Sequence, residues 1–394
     1  MNTQKIEGLN YLDHAPISVE IESGLINRIE RLEKLSDHTN KHYIAPGLID
    51  IQVNGHSSVS FALEGAGDPS APSGELTVND VKKVTEAMWK EGVTSYFPTL
   101  TTNSRELLAR NFSVLARAKD DPSLLGSLPG FHLEGPYISP VDGYRGAHPL
   151  EHVRRPDWDE FMELYKAAGE KIILITIAPE IDGAFEFIRK CRKLGIVVSL
   201  GHHNAPAGII REAIDNGAGL ATHLGNGCAG TVNRHFNPIW PQLADKRLTI
   251  SIIADSFHLP PEMLQVFCRT KGFDQVIITS DITSYAGLPA GIYTIKNGES
   301  IEKKTDGSLR FSIGGLYGSA TELSKATGNI MKYTGCSLAE AISMVTTNPA
   351  RLHRLNDRGT LEPGKRADLI LFSMEDFDFR IHKTIVQGQL VYEQ

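Results

Sequence analysis

The sequence predicts an α/β fold, a (β/α)8 TIM-like barrel carrying a small β-sandwich domain formed by its N- and C-terminal segments. Two observations predict it. Over residues 46–354, short apolar runs alternate with longer stretches of helical character, the rhythm of buried parallel strands and their covering helices. At both ends the rhythm changes to period-two alternation, which marks half-buried antiparallel strands. The chain has 394 residues, more than the roughly 250 such a barrel needs, which leaves room for one attachment.

The N-terminal alternation runs through Ile17-Ser18-Val19-Glu20-Ile21 and again over residues 25–32. The C-terminal one covers Ala367 to Phe372 and Lys383 to Val391. Residues 1–45 and 355–394 are therefore expected to pair into one β domain that tethers the barrel ends. Eight apolar runs read as barrel strands: 48–53, 93–97, 128–133, 171–177, 195–200, 219–222, 249–254 and 275–279. Helices are predicted over 77–91, 105–119, 157–168 and 184–194, with Thr77 and Asp80 in a capping pattern at the first of these. Two more, 319–333 and 337–346, follow the last strand. Residues 65–74, rich in Gly, Pro, Ser and Ala, read as a long loop.

Composition narrows the function. Hydrophobic residues at 41% and charged residues at 22% are ordinary for a soluble globular chain. A net charge of −7 provides no basic footprint, which argues against nucleic acid and anionic membrane as partners. No apolar run approaches the roughly 18 residues of a membrane span, and the first residues carry no export signal. Cys191, Cys228, Cys268 and Cys336 are scattered and form no CxxC pair, so neither a disulfide framework nor a Cys-rich zinc site is expected. The expected compartment is the cytoplasm.

The chemistry lies in what ends each strand, because the βα loops of a barrel converge at the C-terminal rim. The third run ends in His132-Leu133-Glu134-Gly135-Pro136, the fifth in Gly201-His202-His203, the sixth in Thr222-His223-Leu224 and the eighth in Ser280-Asp281. Any one of these polar residues alone is equally well a hydrogen-bonded barrel residue. Glu134, His202, His223 and Asp281 arriving together from separate strands make a ligand set suited to Zn²⁺ or Fe²⁺ with a position open for water. His203 is expected to point away and pack, and His132 to sit a layer deeper as a satisfied interior histidine. His56 is either a substrate contact or a loop cap. His258, beyond Asp255, is a loop histidine open to either a functional or a solvated reading.

Ala45-Pro46-Gly47-Leu48-Ile49-Asp50 resembles the amidohydrolase superfamily. Gln52-x-Asn54-Gly55, the His132–Pro136 motif, Gly146-Ala147-His148-Pro149, Gly201-His202-x-Asn204-Ala205, Thr222-His223-Leu224-x-Asn226, Ala254-Asp255-x-x-His258 and Ser280-Asp281 followed by Ala286-Gly287-Leu288-Pro289 resemble its N-acetylglucosamine-6-phosphate deacetylase branch. The resemblance implies hydrolysis of an amino sugar's N-acetyl amide. Glu134, His202 and His223 would be ligands of a single divalent ion, zinc before iron. Asp281 would be the acid/base, and His148 would polarise the acetyl carbonyl. Asn226, Gly227 and His258 would contact sugar or phosphate. Gln52 and Asn54 stand where many superfamily members carry the histidines of a second metal.

The resemblance also implies a homodimer in which the phosphate-contacting arginine comes from the neighbouring subunit, with Arg234 its nearest match. The surroundings depart from the branch at Asn226-Gly227-Cys228 and over residues 233–240. Left open are other amidohydrolase reactions: deacetylation of an unphosphorylated or galacto-type sugar, N-acyl-amino-acid hydrolysis, and cyclic amide hydrolysis. A metal-free scaffold is the alternative from a different class.

Overall fold

The computed structural model describes residues 4–36, 41–62, 75–294, 300–311 and 315–394; the expected loop over 65–74 lies outside them. Eight parallel strands follow one another in chain order around the barrel. They are β1 (Leu48–Val53), β2 (Val93–Thr101), β3 (Phe131–Glu134), β4 (Ile172–Ile177), β5 (Val197–Leu200), β6 (Ala218–Ala221), β7 (Thr249–Ile252) and β8 (Val276–Ile278). The ring closes where the Asn54 N–H donates to the Ile282 carbonyl at 2.8 Å, beside a parallel bridge from Val53 to Ile282. Below this seam, the buried Asp50 carboxylate accepts from Thr279 Oγ1 at 2.7 Å and ties β1 to β8.

The expected helices form the outer layer: α1 (Val78–Lys90), α2 (Arg105–Lys119), α3 (Trp158–Ala167) and α4 (Ala184–Lys193) match the sequence reading to within a residue or two. The α1 start carries the expected capping box, in which Thr77 Oγ1 accepts from the Asp80 N–H and the Asp80 side chain accepts from the Thr77 N–H. Behind the barrel, the helix Leu323–Thr334 begins at residue 323 rather than 319. The sequence reading missed a small antiparallel sheet after β8, made of Gly291–Thr294, Ser300–Lys303 and Leu309–Phe311.

The terminal segments form one seven-stranded sheet in which Tyr43–Pro46 lies between the two ends of the chain, parallel to Gln4–Asn10 and antiparallel to Leu369–Glu375. The sheet's far strand, Leu25–Arg31, bridges back to Arg366, so Ile17, Val19, Ile26, Leu369 and Ile385 share one core. Thr384 Oγ1 donates to the Trp89 carbonyl at 2.7 Å and holds this sheet against the barrel.

The barrel interior is stratified. Ile51, Phe97, Leu174, Leu220 and Ile277 fill its lower layer. Above them lies a polar layer in which Thr176 Oγ1 meets His132 Nε2 and Thr222 Oγ1, each at 2.8 Å. His132 is thus the satisfied interior histidine expected. His56 caps rather than contacts a ligand: it is buried, with Nε2 2.8 Å from Glu91 Oε1 and Nδ1 2.7 Å from Ser57 Oγ.

Beside that pair lies Glu322, which precedes the helix Leu323–Thr334. Burial first, then the Glu91 charge, pushes its carboxyl from an ordinary 4.5 up to about 7. A raised carboxyl favours the fold below its unfolded pKa, and that contribution is lost as pH rises through the folded value. Glu322→Gln removes the cost of ionisation, so its melting temperature should exceed wild type by about 2 °C or more at about pH 8. The gain should shrink as pH falls toward about 4.5. A calorimetric pH series checks this, and a gain that does not depend on pH counts against the account.

Candidate active site

Four strand ends deliver the polar residues, and three of them do so through unusual backbone. His202, His223 and Asp281 have φ of 51°, 28° and 50°, in the left-handed region that non-glycine residues rarely occupy. The chain therefore turns sharply two or three residues past the end of each of these strands and aims a side chain across the rim. Such strain persists where surrounding structure over-determines it, and it concentrates at functional sites. Glycines allow the close approach. Gly227 has a φ of 60°, and a Cβ there would lie 2.9 Å from the His202 ring.

Glu134, His202 and His223 converge, all buried, with one ligand atom from each lying within 4.8 Å of the others. No other group of three such residues lies together among the described residues. Glu134 Oε1 is 3.2 Å from His202 Nε2 and 3.0 Å from His223 Nε2. His202 Nδ1 lies 3.1 Å from the Tyr144 carbonyl, which can only accept, so Nδ1 carries the proton and Nε2 presents a lone pair to Glu134. Two acceptors that close need a positive charge between them, which is how a metal-ligand set looks.

Asp281 stands beside this group without joining it. Gln52 Nε2 donates to Asp281 Oδ1 at 2.9 Å and Asn54 Nδ2 to the same oxygen at 2.7 Å. Both amides thus hold one carboxylate oxygen and leave Oδ2 unclamped. Burial, and next the Glu134 charge, raise the Asp281 carboxyl above its ordinary value. His148, from the loop after β3, stacks edge-on against His202 with ring centroids 4.3 Å apart and places Nδ1 2.8 Å from Thr102 Oγ1. Burial, and next the His202 charge, push it down to about 3, so it is neutral at physiological pH.

These residues line one cavity of about 740 Å³, within the size range of small-molecule sites. Asn226, Gly227 and His258 line it too. The Asn226 Nδ2 donor is buried without a partner, and His258 Nδ1 is bound to Asp255 Oδ2 at 2.7 Å. Asp255 also accepts from the backbone N–H groups of Phe257 and His258, which fixes that loop. His203 is buried away from the cavity and accepts from the Ala205 N–H.

Arg234 is the exception among the expected residues. It is exposed, in the loop before the helix Ile239–Ala244, and is not among the cavity-lining residues; Phe236, two residues on, is 86% exposed. Sequence reasoning missed Thr283, Ser284, Arg310, Phe311 and Tyr317, which line the cavity from the segment after β8. No strand-end motif marks that segment, and only the alternation of Leu309 and Arg310 hints at a strand.

The model of the amidohydrolase family matches residues 43–391. The chain is 32% identical to an N-acetylglucosamine-6-phosphate deacetylase of Bos taurus, across 89% of this chain and 83% of that protein. It is 29% identical to an N-acetylgalactosamine-6-phosphate deacetylase of Escherichia coli O157:H7, across 94% of both. Among solved structures, the N-acetylglucosamine-6-phosphate deacetylase of Thermotoga maritima superposes with a TM-score of 0.84 at 28% identity, covering 99% of this chain and 100% of that one. The chain belongs to the amidohydrolase family, in its N-acetylglucosamine-6-phosphate deacetylase branch.

Proposed function

We propose that this amidohydrolase removes the N-acetyl group from an amino-sugar 6-phosphate, with N-acetylglucosamine-6-phosphate the substrate that fits best, releasing acetate and the free amine. The observation that carries the reading is the meeting, in one cavity, of Glu134, His202 and His223 with a clamped Asp281 and a neutral His148. The relatives named above act on substrates of this kind.

Glu134, His202 and His223 would hold one divalent ion, zinc in preference to iron given two imidazoles and a single carboxylate. Such an ion polarises a carbonyl and makes water acidic enough to attack at neutral pH. Asp281 takes the proton of the attacking water as the oxygen bonds to the acetyl carbon, and delivers it to the nitrogen as the C–N bond breaks. Gln52 and Asn54 fix that carboxylate by one oxygen so that the other faces the reaction. His148, neutral and fixed by Thr102, donates a hydrogen bond to the acetyl oxygen as charge develops there. Asn226, the Gly227 N–H and His258 hold the sugar. No Ser or Cys nucleophile enters the scheme.

The exposed loop carrying Arg234 and Phe236, with Trp240 (49% exposed) in the first turn of the helix that follows, would be covered by a second copy in a homodimer, bringing Arg234 to the neighbouring cavity. Residues 1–45 with 355–394 would act as one tethering domain on a barrel of residues 46–354. No described helix is long and apolar enough to cross a membrane, and a cytoplasmic location suits the four free thiols Cys191, Cys228, Cys268 and Cys336.

Three outcomes are expected. Because Gln52 and Asn54 are committed to Asp281, purified protein should hold about one divalent ion per chain; two equivalents on elemental analysis would refute the single site. Asp281→Asn should keep the metal and lower kcat by at least about 10²-fold, the low end for acid–base catalysis, and near-normal turnover removes Asp281 from the mechanism. Arg234→Ala should chiefly raise KM for the phosphorylated sugar, by about tenfold or more. Unchanged kinetics on phosphorylated and unphosphorylated sugars alike would leave Arg234 a solvated loop residue.

A further inference from the structure

We infer that Arg310, on the small sheet after β8, is a specificity-determining residue that supplies the cavity's own counter-charge for the substrate's phosphate group. The inference rests on the phosphosugar reading above and goes beyond it by naming a cation within the same chain.

The argument starts from charge. Two buried carboxylates, Glu134 and Asp281, line the cavity, and a dianionic phosphate ester entering it needs compensation. Among the described residues that line the cavity, Arg310 is the one Lys or Arg. It is half-buried and forms no ion pair with the described residues. Glu302 stands opposite it in the register, exposed, and the two do not pair. Asp306 Oδ1 is taken by the Ser308 N–H and hydroxyl at 2.9 and 2.8 Å; the Arg310 charge acts on this exposed carboxylate without an ion pair forming.

The backbone that carries Arg310 is held in place. Leu309, Arg310 and Phe311 pair with Lys303, Glu302 and Ile301, and Arg310 bridges to Leu316. Leu309 and Ile301 are buried in a cluster with Tyr285, so the strand's alternation puts Arg310 on the other face. Lys303 Nζ anchors the sheet to the Tyr285 and Leu288 carbonyls at 3.1 and 2.7 Å. The rings of Phe311 and Tyr317, perpendicular with centroids 5.1 Å apart, pack against that cluster on the opposite face from Arg310, and both residues also border the cavity. A fixed strand that brings a guanidinium without an ion-pair partner to the cavity makes an anion contact, and guanidinium suits phosphate by geometry as well as charge.

The test compares wild type, Arg310→Ala, Arg310→Lys and Glu302→Gln on N-acetylglucosamine-6-phosphate and on N-acetylglucosamine. Calorimetric binding of glucosamine-6-phosphate and glucosamine is measured in parallel on the same metal-loaded proteins. Arg310→Ala should raise KM for the phosphorylated sugar about tenfold or more with kcat within a few-fold. It should leave kinetics on the unphosphorylated sugar unchanged and weaken binding of glucosamine-6-phosphate alone. Arg310→Lys should recover part of the loss, and Glu302→Gln should behave as wild type. An unchanged ratio of kcat/KM for the two sugars in Arg310→Ala overturns the inference, as does an equal loss on both, which would mark a structural role. If wild type deacetylates neither sugar, the phosphosugar reading fails. Calorimetry then decides separately, and phosphate-dependent binding that is absent or insensitive to Arg310 overturns the inference too. Should Arg310→Ala fail to fold, as judged by thermal melting, Arg310→Lys carries the same comparison.

Discussion

The structure turns on a single oxygen. Glu134 Oε1 lies 3.0 and 3.2 Å from two imidazole nitrogens in a buried place, and such a contact is tolerable only with positive charge shared among the three. Burying an unpaired carboxylate costs several kcal/mol or more, and Asp281 adds a second. The Gln52 and Asn54 amides answer the second charge with neutral donors. The first is left for a cation. Gln52 and Asn54 are thereby committed to Asp281, and on the reading proposed above this separates the ligands from the proton carrier.

Holding that oxygen in place is the work of the barrel. The His132–Thr176–Thr222 layer lies directly beneath, so the floor of the site is a satisfied hydrogen-bond network rather than a deformable apolar one. Ring closure at Val53–Ile282, with Asp50 pinning β1 to β8, brings Asn54 against Asp281, although the two residues are 227 apart in sequence. The left-handed backbone at His202, His223 and Asp281 is the local cost, and the β-ladders on either side sustain it.

Much of this was legible in the sequence because it lies on strands. Period and spacing located all eight barrel strands, and the residue types at their ends identified Glu134, His202, His223 and Asp281 as one group. What the sequence did not reveal was direction. That Gln52 and Asn54 grip Asp281, and that His56 turns to Glu91, depends on side-chain rotation at the rim, which residue type does not encode. The small sheet after β8 was missed for a different reason. Its strands are three or four residues long and polar on one face, so no period emerges above background.

The same contrast separates chemistry from selectivity. The proposed metal ligands and proton carrier stand at or just past strand ends, where the barrel leaves them little freedom and short motifs betray them. Residues able to read the rest of the substrate stand on loops and on the appended sheet, where insertions cost the fold little. Arg234 and Arg310 illustrate the consequence. Arg234 was found by resemblance and lies on an exposed loop outside its own chain's cavity, whereas Arg310 had no motif and lines it. A barrel that keeps its strand ends can therefore exchange one arginine for another, from a neighbouring subunit or from its own hairpin, and alter what it selects without altering how it cuts.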